Sequence, residues 1–487
     1  SRRYGVGNPM ASSTIDDSTQ YRSNIPGVIQ SIPTIASSDQ TTDHIASSFA
    51  NGTYTYNGLY TFNINTRLDG ANFFGASTNQ KLSPLWSIGG AWYISRENFF
   101  PTDWMPLLTL RASTGKLGNI SRLASAYTIM SGPTSSITGT PYPASYIVSP
   151  PNTDLRWESV SIANLALDFA TRGHILKGTI EYYTKTSSGL MAQVFDDPTL
   201  GGTQNPGTRS FYYRNDAIMK GRGLDAELTS HNLQGRLQWV TTLLFSKSSS
   251  VVTKFSYPAG EGRAYLSSNL PNPVPGRPLN AVYAFKWGGL DPRTGDPIGY
   301  YNGQSSTDWA AIYNHTAWDS MVYKGPAQPT IYGALRNTFL LDHFSLSFNV
   351  SYKFGYSYRL PGLSYTDLLT KWNSTSDYTF RWQKPGDEMH TSIPSFNPSA
   401  SVARDLFYGY SEARVGRADN IRLEDIILGF EKDNFVWGKF HCRRLRLFTN
   451  FSNLPLLWKA SSNGPDPYYV NVPKDGMRVT MGFTVFF

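Results

Sequence analysis

The sequence predicts an all-β fold, a transmembrane antiparallel β-barrel to which this chain contributes about 14 strands. Three observations predict it. Apolar and polar residues alternate in stretches of membrane-crossing length. The connections between those stretches alternate between tight turns and long loops. The composition is rich in aromatics and poor in charge.

The clearest stretch is the last, Met477 to Phe487. Met477, Val479, Met481, Phe483, Val485 and Phe487 form one apolar row, while Arg478, Thr480, Gly482 and Thr484 fill the other parity and only Phe486 interrupts it. A period of two marks a strand with one greasy and one wet face, and about 9–11 residues suffice to cross a bilayer at a tilt. The competing reading is the edge strand of a soluble sandwich. Recurrence of the pattern upstream decides between them.

At 487 residues the chain is long for one soluble core but ordinary for a large barrel. Aromatics make up 14% and charged residues only 16%, yet mean hydropathy is −0.34. A barrel reconciles these values, because only alternate strand residues face lipid. No apolar run is long enough for a transmembrane helix. One cysteine, Cys442, excludes a disulfide framework, and the net charge of +8 is scattered, which argues against a nucleic-acid partner. The opening SRRYGVGNPMASS has neither an initiator Met nor an apolar signal region, so translation is expected to begin upstream.

Residues 1–48 are polar and Pro-containing without a sustained period, and read as an extracellular loop segment; 49–487 read as barrel. Tyr60, Phe62, Ile64 and Leu68 share one parity; 86–94 and 107–113 are shorter strand candidates. Ala163, Leu165, Leu167 and Phe169 lead into a turn at Thr171–His174, and Leu176, Gly178, Ile180 and Tyr182 return, a hairpin that must pair antiparallel. A second hairpin turns at His231–Gly235 and continues through Leu237, Trp239, Thr241, Leu243 and Phe245. In 344–354 Phe344, Leu346, Phe348, Val350, Tyr352 and Phe354 oppose Ser345, Ser347, Asn349, Ser351 and Lys353. Leu445, Leu447 and Phe451 alternate with Arg444, Arg446 and Asn450. The tight connections lie near Arg172, Asn232 and Asp342; the long ones span roughly 114–155, 186–220, 250–280, 289–328, 356–416 and 453–474. Short turns on one rim and long loops on the other are the pattern of an outer-membrane barrel, with the long loops outside the cell.

Several stretches, in order, resemble one family. They are YTFNINTRLDGANFFG (60–75), LSPLWSIGGAWYISRENFF (82–100), LLTLRASTGKLGN (107–119), NTDLRWES (152–159), WGGLDPRTGDP (287–297), RWQKPGDE (381–388), NIRLEDIILGF (420–430) and the closing GPDPYYV with RVTMGFTVFF. Together they resemble the C-terminal, barrel-forming part of SusC-like TonB-dependent transporters of the Bacteroidetes outer membrane. The resemblance implies a barrel of about 22 strands around an N-terminal plug. It also implies active import of a nutrient, foremost an oligosaccharide, with a SusD-like surface lipoprotein as lid and TonB–ExbB–ExbD as energy source. Oligopeptide import and a non-transporting receptor or scaffold are the alternatives. Outer-membrane lipid and lipopolysaccharide would surround the barrel, and a dimer of transporter units is compatible with the family. The plug, the TonB box and the first strands are expected on a separate chain or fragment. An unclosed sheet would leave raw edges in hydrocarbon, each unsatisfied backbone group costing several kcal/mol.

No catalytic, metal or cofactor constellation stands out, and no enzyme is expected. His441 and Cys442 are strand neighbours that point to opposite faces. Asp291, Gly295 and Asp296 read as a Pro/Gly turn rather than a calcium loop, lacking the closing Glu and the ligand set. The outer loops carry aromatics whose flat faces suit sugar rings: Trp309, Tyr313 and Trp318 in one, Trp372, Tyr378 and Trp382 in another. Loop packing is the competing role for each. Trp86, Trp92 and Trp239 lie within strands and fit an aromatic girdle. Lys353, Arg444 and Arg446 on the inward parity would line the lumen or touch the plug.

Overall fold

The computed structural model describes residues 44–71, 82–119, 155–195, 211–256, 272–373, 375–398, 401–438, 440–461, 464–470 and 472–487, with short stretches of 2–42, 121–152 and 260–266 besides. Fourteen strands form one sheet. They are β1 (Ile45–Tyr56), β2 (Tyr60–Ala71), β3 (Leu82–Trp92), β4 (Leu107–Asn119), β5 (Glu158–Ala170), β6 (Leu176–Phe195) and β7 (Phe211–Leu233). Then come β8 (Leu237–Lys254), β9 (Ile331–Leu341), β10 (Phe344–Phe354), β11 (Asn420–Trp437), β12 (Phe440–Ser452), β13 (Leu456–Lys459) and β14 (Arg478–Phe486). Each strand pairs antiparallel with the next in sequence, except that short β13 adds to β11 and β14 pairs with β12. This is the up-and-down order of a barrel wall. No described helix is long and apolar enough to cross a membrane.

Register turns the alternation of single strands into two continuous faces. One row runs Phe483, Leu447, Phe430, Phe344, Leu341, Leu237, each opposite the next. The neighbouring row carries Met481, Thr449, Leu428, Leu346, Phe339 and Trp239. Phe344 is 63% and Phe483 75% exposed, so these side chains do not share an interior and the soluble-sandwich reading fails. The other face carries the polar parity. There Arg111 grips Asp168 through two bonds, one of 2.9 Å, and Arg336 reaches Asp425 at 3.3 Å. His441 is exposed while Cys442 is buried, as the opposite-face reading requires.

At one end of the sheet the connections are tight: 57–59, 171–175, 234–236, 342–343 and 438–439. The connection 93–106 is longer and contains one 3-10 turn at Ile94–Arg96. Asp342 takes a left-handed φ of 53°, which Asp tolerates and which lets two residues reverse the chain. Aromatic rings gather near this end on the apolar face. Trp239 stacks on Phe339 at 5.5 Å, Phe344 packs on Phe430 at 5.1 Å, and Trp92 stacks on Tyr60 at 6.3 Å. Trp86 sits six residues before Trp92, toward the opposite end.

Several boundaries differ from the sequence reading: β4 runs to Asn119 and β8 to Lys254, past the starts expected for their loops, and three others differ as follows. The segment 186–220 was expected to be a long loop, but β6 runs to Phe195 and β7 resumes at Phe211, pairing through Leu190–Ala217 to Phe195–Phe211. Ladder hydrogen bonds sustain this 20- and 23-residue pair beyond the length a bilayer needs, and only 196–210, outside the described residues, remain as connection. The turn read at His231–Gly235 shrinks to 234–236. Leu233 still pairs with Trp239 across a bulge, and the Asn232 amide donates to Thr241 Oγ1 at 2.7 Å. The first long strand begins at Ile45, within the stretch read as loop.

Candidate functional site

The opposite end of the sheet carries the long connections, and two of them fold into compact layers of their own. In 255–330 a short helix α1 (Trp309–His315) starts at Asp308, whose carboxylate accepts from Ala311 N at 3.0 Å. In 355–419 helix α2 (Tyr365–Lys371) is capped by Ser364 and helix α3 (Val402–Tyr410) by Ser401. α1 packs on α3 around Phe285, Ile312, Met321 and Phe407. Leu363, Tyr365 and Ile393 form a second small core beneath α2.

Buried charge ties the layers together. Arg404 is 1% exposed; its Nε donates to Asp296 Oδ1 at 2.9 Å and its Nη2 to the Ser395 carbonyl at 2.9 Å. Its guanidinium also lies 5.8 Å from the Trp309 ring and 5.6 Å from the Tyr365 ring. Asp296 closes the turn begun at Asp291, whose carboxylate accepts from Arg293 N at 2.8 Å and Thr294 N at 3.1 Å; these bonds hold the Asp291 carboxyl below the usual range. Gly295 (φ 69°) brings the backbone against Trp382, where a Cβ would fall on the indole, so the stretch is a packed turn. Arg414 pairs with Asp377 at 2.8 Å and donates to Tyr408 OH at 3.2 Å, while burial pushes the Tyr408 hydroxyl up to about 12. Arg359 donates to the Tyr283 carbonyl at 2.7 Å and stacks 4.7 Å from Tyr410; burial pulls its guanidinium down to about 10.

The six aromatics singled out from the sequence divide among these layers. Trp309, Tyr313 and Trp318 come together around the first core: Trp309 Nε1 donates to the Pro297 carbonyl at 2.8 Å, Tyr313 leans on Phe285 at 6.0 Å, and Trp318 on Tyr265 at 6.0 Å. Tyr378 packs on Tyr365 and Phe396, under the Arg381 guanidinium at 4.1 Å. Trp382 is 7% exposed and donates to Glu388 at 3.0 Å. Trp372 differs. It terminates α2 in the left-handed region (φ 55°) with 91% of its surface exposed.

A further cluster lies where the closing GPDPYYV stretch folds onto the polar face. Arg422, 4% exposed, donates to Asp466 at 2.6 Å. The Tyr468 ring is approached by the Arg422 guanidinium and the Lys353 ammonium, each at 4.2 Å. Asp419 accepts from Gly355 N at 2.7 Å and pairs with Arg417. These contacts fix the 464–469 stretch against β10 and β11. Sequence reasoning missed Arg404, Arg414 and Arg422, because an isolated arginine looks the same whether its carboxylate is near or a hundred residues away. Lys353, read as inward-facing, is on the polar face; Arg444 and Arg446 turn to Glu431, and Arg444 also to Asp433 at 2.6 Å. Among the described residues no group of three His, Cys, Asp or Glu could hold a metal ion.

No protein-family profile matches the chain. Three relatives from Formosa agariphila do. TonB-dependent receptor P3 is 21% identical over 95% of the chain and 45% of its own length; P39 is 24% identical over 88% and 44%; P26 is 25% identical over 45% and 21%. Among solved structures, the RagAB peptide transporter superposes with a TM-score of 0.71 at 18% identity, covering 93% of this chain and 48% of that one. Its open-open state gives 0.72 with the same coverage. The chain thus spans about half the length of the relatives it matches most fully. The 14-stranded antiparallel meander with one apolar face has the fold of the barrel wall in these solved transporters, and the relatives that the chain resembles along most of its length are TonB-dependent receptors.

Proposed function

We propose that this chain builds part of the wall of an energised outer-membrane importer for oligomeric nutrients, with its long loops outside the cell. The observation that carries the reading is the two-faced sheet whose hydrogen-bonded path ends at β1 and β14. Among the described residues those two edges have no partner, and an open edge is untenable in hydrocarbon. The remaining strands of a barrel of about 22 and a plug filling it would be supplied by polypeptide outside this sequence, whether the same precursor or a separate chain. That polypeptide would couple to TonB–ExbB–ExbD. A SusD-like lipoprotein would rest on the loop layers as a lid, and two such units could associate as a dimer.

Two cargo classes remain in contention, each with its own support. An oligosaccharide is supported by Trp372, whose free indole face suits a sugar ring. With Trp309, Tyr313, Trp318, Tyr378 and Trp382 engaged in loop packing, that support rests on one residue. An oligopeptide is supported by the likeness to a transporter described as a peptide importer. Purification of the assembly from native membranes, with identification of every chain and of trapped cargo, tests the proposal. A plug-bearing chain, a lipoprotein and bound oligomers are expected. A barrel closed by copies of this chain alone, with no plug, would sink the importer reading. Recovery of peptides without glycan would reject the oligosaccharide.

A further inference from the structure

The apolar face carries a depression near the tight-turn end. Leu237, Phe344, Leu346, Leu428, Phe430 and Leu447 wall a groove of ≈ 520 Å³. That volume lies in the range of about 300–1,000 Å³ that accepts a ligand of drug size. Its only side-chain hydroxyls belong to Ser345 and Thr449, so it suits hydrocarbon. Two residues beyond Phe430 on the same strand, and therefore on the same face, stands Lys432, opposite Leu445. Phe430 pairs with Phe344 beside the Asp342–His343 turn, so Lys432 lies level with the rim. The carboxylates flanking it in sequence, Glu431 and Asp433, belong to the other face, where Arg444 and Arg446 take them. Among the described residues no carboxylate pairs with Lys432. Lys432 is half-buried; a lysine whose stem lies along an apolar groove holds its ammonium at the groove's edge, and the surroundings of a membrane face supply a phosphate at this depth.

We propose that this groove is a phospholipid site: an acyl chain lies along Leu346, Leu428 and Leu447, and the headgroup phosphate is bound by Lys432. The site depends on the chain facing lipid and is independent of the cargo. A protein occupant would have to bury Lys432 against a carboxylate of its own; phosphate and chain on one molecule satisfy both halves of the groove.

The test is native mass spectrometry of the whole transporter extracted in a neutral detergent, titrated with phosphatidylglycerol or with a diacylglycerol of the same chains. Wild type is expected to retain one phosphatidylglycerol in preference to the diacylglycerol. Lys432→Ala should weaken phosphatidylglycerol about fivefold, the effect of one lysine near an anionic headgroup, and leave diacylglycerol unchanged. Lys432→Arg should keep the preference. Leu428→Trp, which fills the groove, should remove both lipids, while Leu165→Trp, exposed on the same face elsewhere, should remove neither. Equal retention by all variants would mean only non-specific annular lipid and would overturn the proposal. So would loss of a co-purifying protein, rather than lipid, from Leu428→Trp.

Discussion

Arg404 donates to Asp296 at 2.9 Å across 108 residues of chain, joining the Asp291–Pro297 turn to helix α3. Removing one partner of a buried pair costs about 3–5 kcal/mol, because the other charge is left without compensation. Asp296 keeps some solvent contact, which places the cost at the lower end of that range. Arg404→Met is therefore expected to loosen both loop layers while leaving the strands intact. Limited proteolysis should show faster cleavage within 289–328 and 356–416, with unchanged heat-modifiable migration of the barrel. Unchanged cleavage would mean the apolar cores alone hold the layers.

The strands were legible because each one states its two faces locally. The parity of Phe344 to Phe354 needs no knowledge of β9 or β11, and the structure pairs it with both as the alternation requires. The loop layers were not legible in the same way. Their helices have seven to nine residues, too short for a helical period to stand out, and their aromatics find partners far away in sequence. Trp382 is a binding residue by composition and a packing residue by burial; only the fold of Gly295 against it separates the two. The ends of β6 and β7 were misplaced for a related reason: over 190–195 apolar residues fall on both parities, Leu190, Ala192 and Val194 against Met191 and Phe195, so the alternation that marks a strand is lost while the backbone ladder continues.

Gly333 on β9 shows how closely the wall is packed. A Cβ there would fall on the Leu244 carbonyl and 2.5 Å from the Tyr352 hydroxyl, which itself donates to that carbonyl at 2.9 Å. Backbone cannot step aside as a side chain can, so Gly333→Ala is expected to cost about 1–3 kcal/mol. Gly235, in a tight turn with nothing within 4 Å of its would-be Cβ, is the control. Gly235→Ala should leave the thermal midpoint of the purified barrel unchanged while Gly333→Ala lowers it.

The buried phenols of the loop layers predict behaviour at high pH. Burial raises Tyr408 and Tyr283 to about 12, and raises Tyr365 as well. A group with a raised folded-state pKa contributes stability that is fully present below its unfolded value, near pH 10, and is lost as pH climbs toward 12. The loop layers should thus stay closed through pH 10 and open between about 10 and 12. Tyrosinate absorbance followed alongside proteolysis checks this: a buried set of phenols should ionise late, together with loop cleavage. Ionisation of every tyrosine near pH 10 with the loops still closed would contradict it.

Arg422 and Asp466 predict a different response on the polar face. With the Arg422 guanidinium gone, Asp466 loses its 2.6 Å partner and the Tyr468 ring keeps one of its two cations, the Lys353 ammonium. Arg422→Ala should free the 464–469 stretch, seen as faster amide exchange there, while β10 and β11 retain protection. Lys353→Ala should do less, since Lys353 meets that stretch at the Tyr468 ring and not at Asp466.

Trp372 separates stability from binding. Its indole is 91% exposed and its φ of 55° is a conformation that costs a residue with a Cβ roughly 1–2 kcal/mol. Strain at an exposed aromatic points to a use for the side chain, since folding does not need it. Trp372→Gly relieves the backbone and removes the ring, so the thermal midpoint of the loop layer should hold or rise. If the indole meets cargo or a lid protein, the same variant should bind that ligand more weakly. Trp372→Tyr should retain part of the binding, because a smaller aromatic face survives. Measuring midpoint and binding on the same preparations distinguishes the roles: a fall in both would make Trp372 a packing residue like its five counterparts, and unchanged binding would remove the remaining sequence-derived support for a sugar ligand.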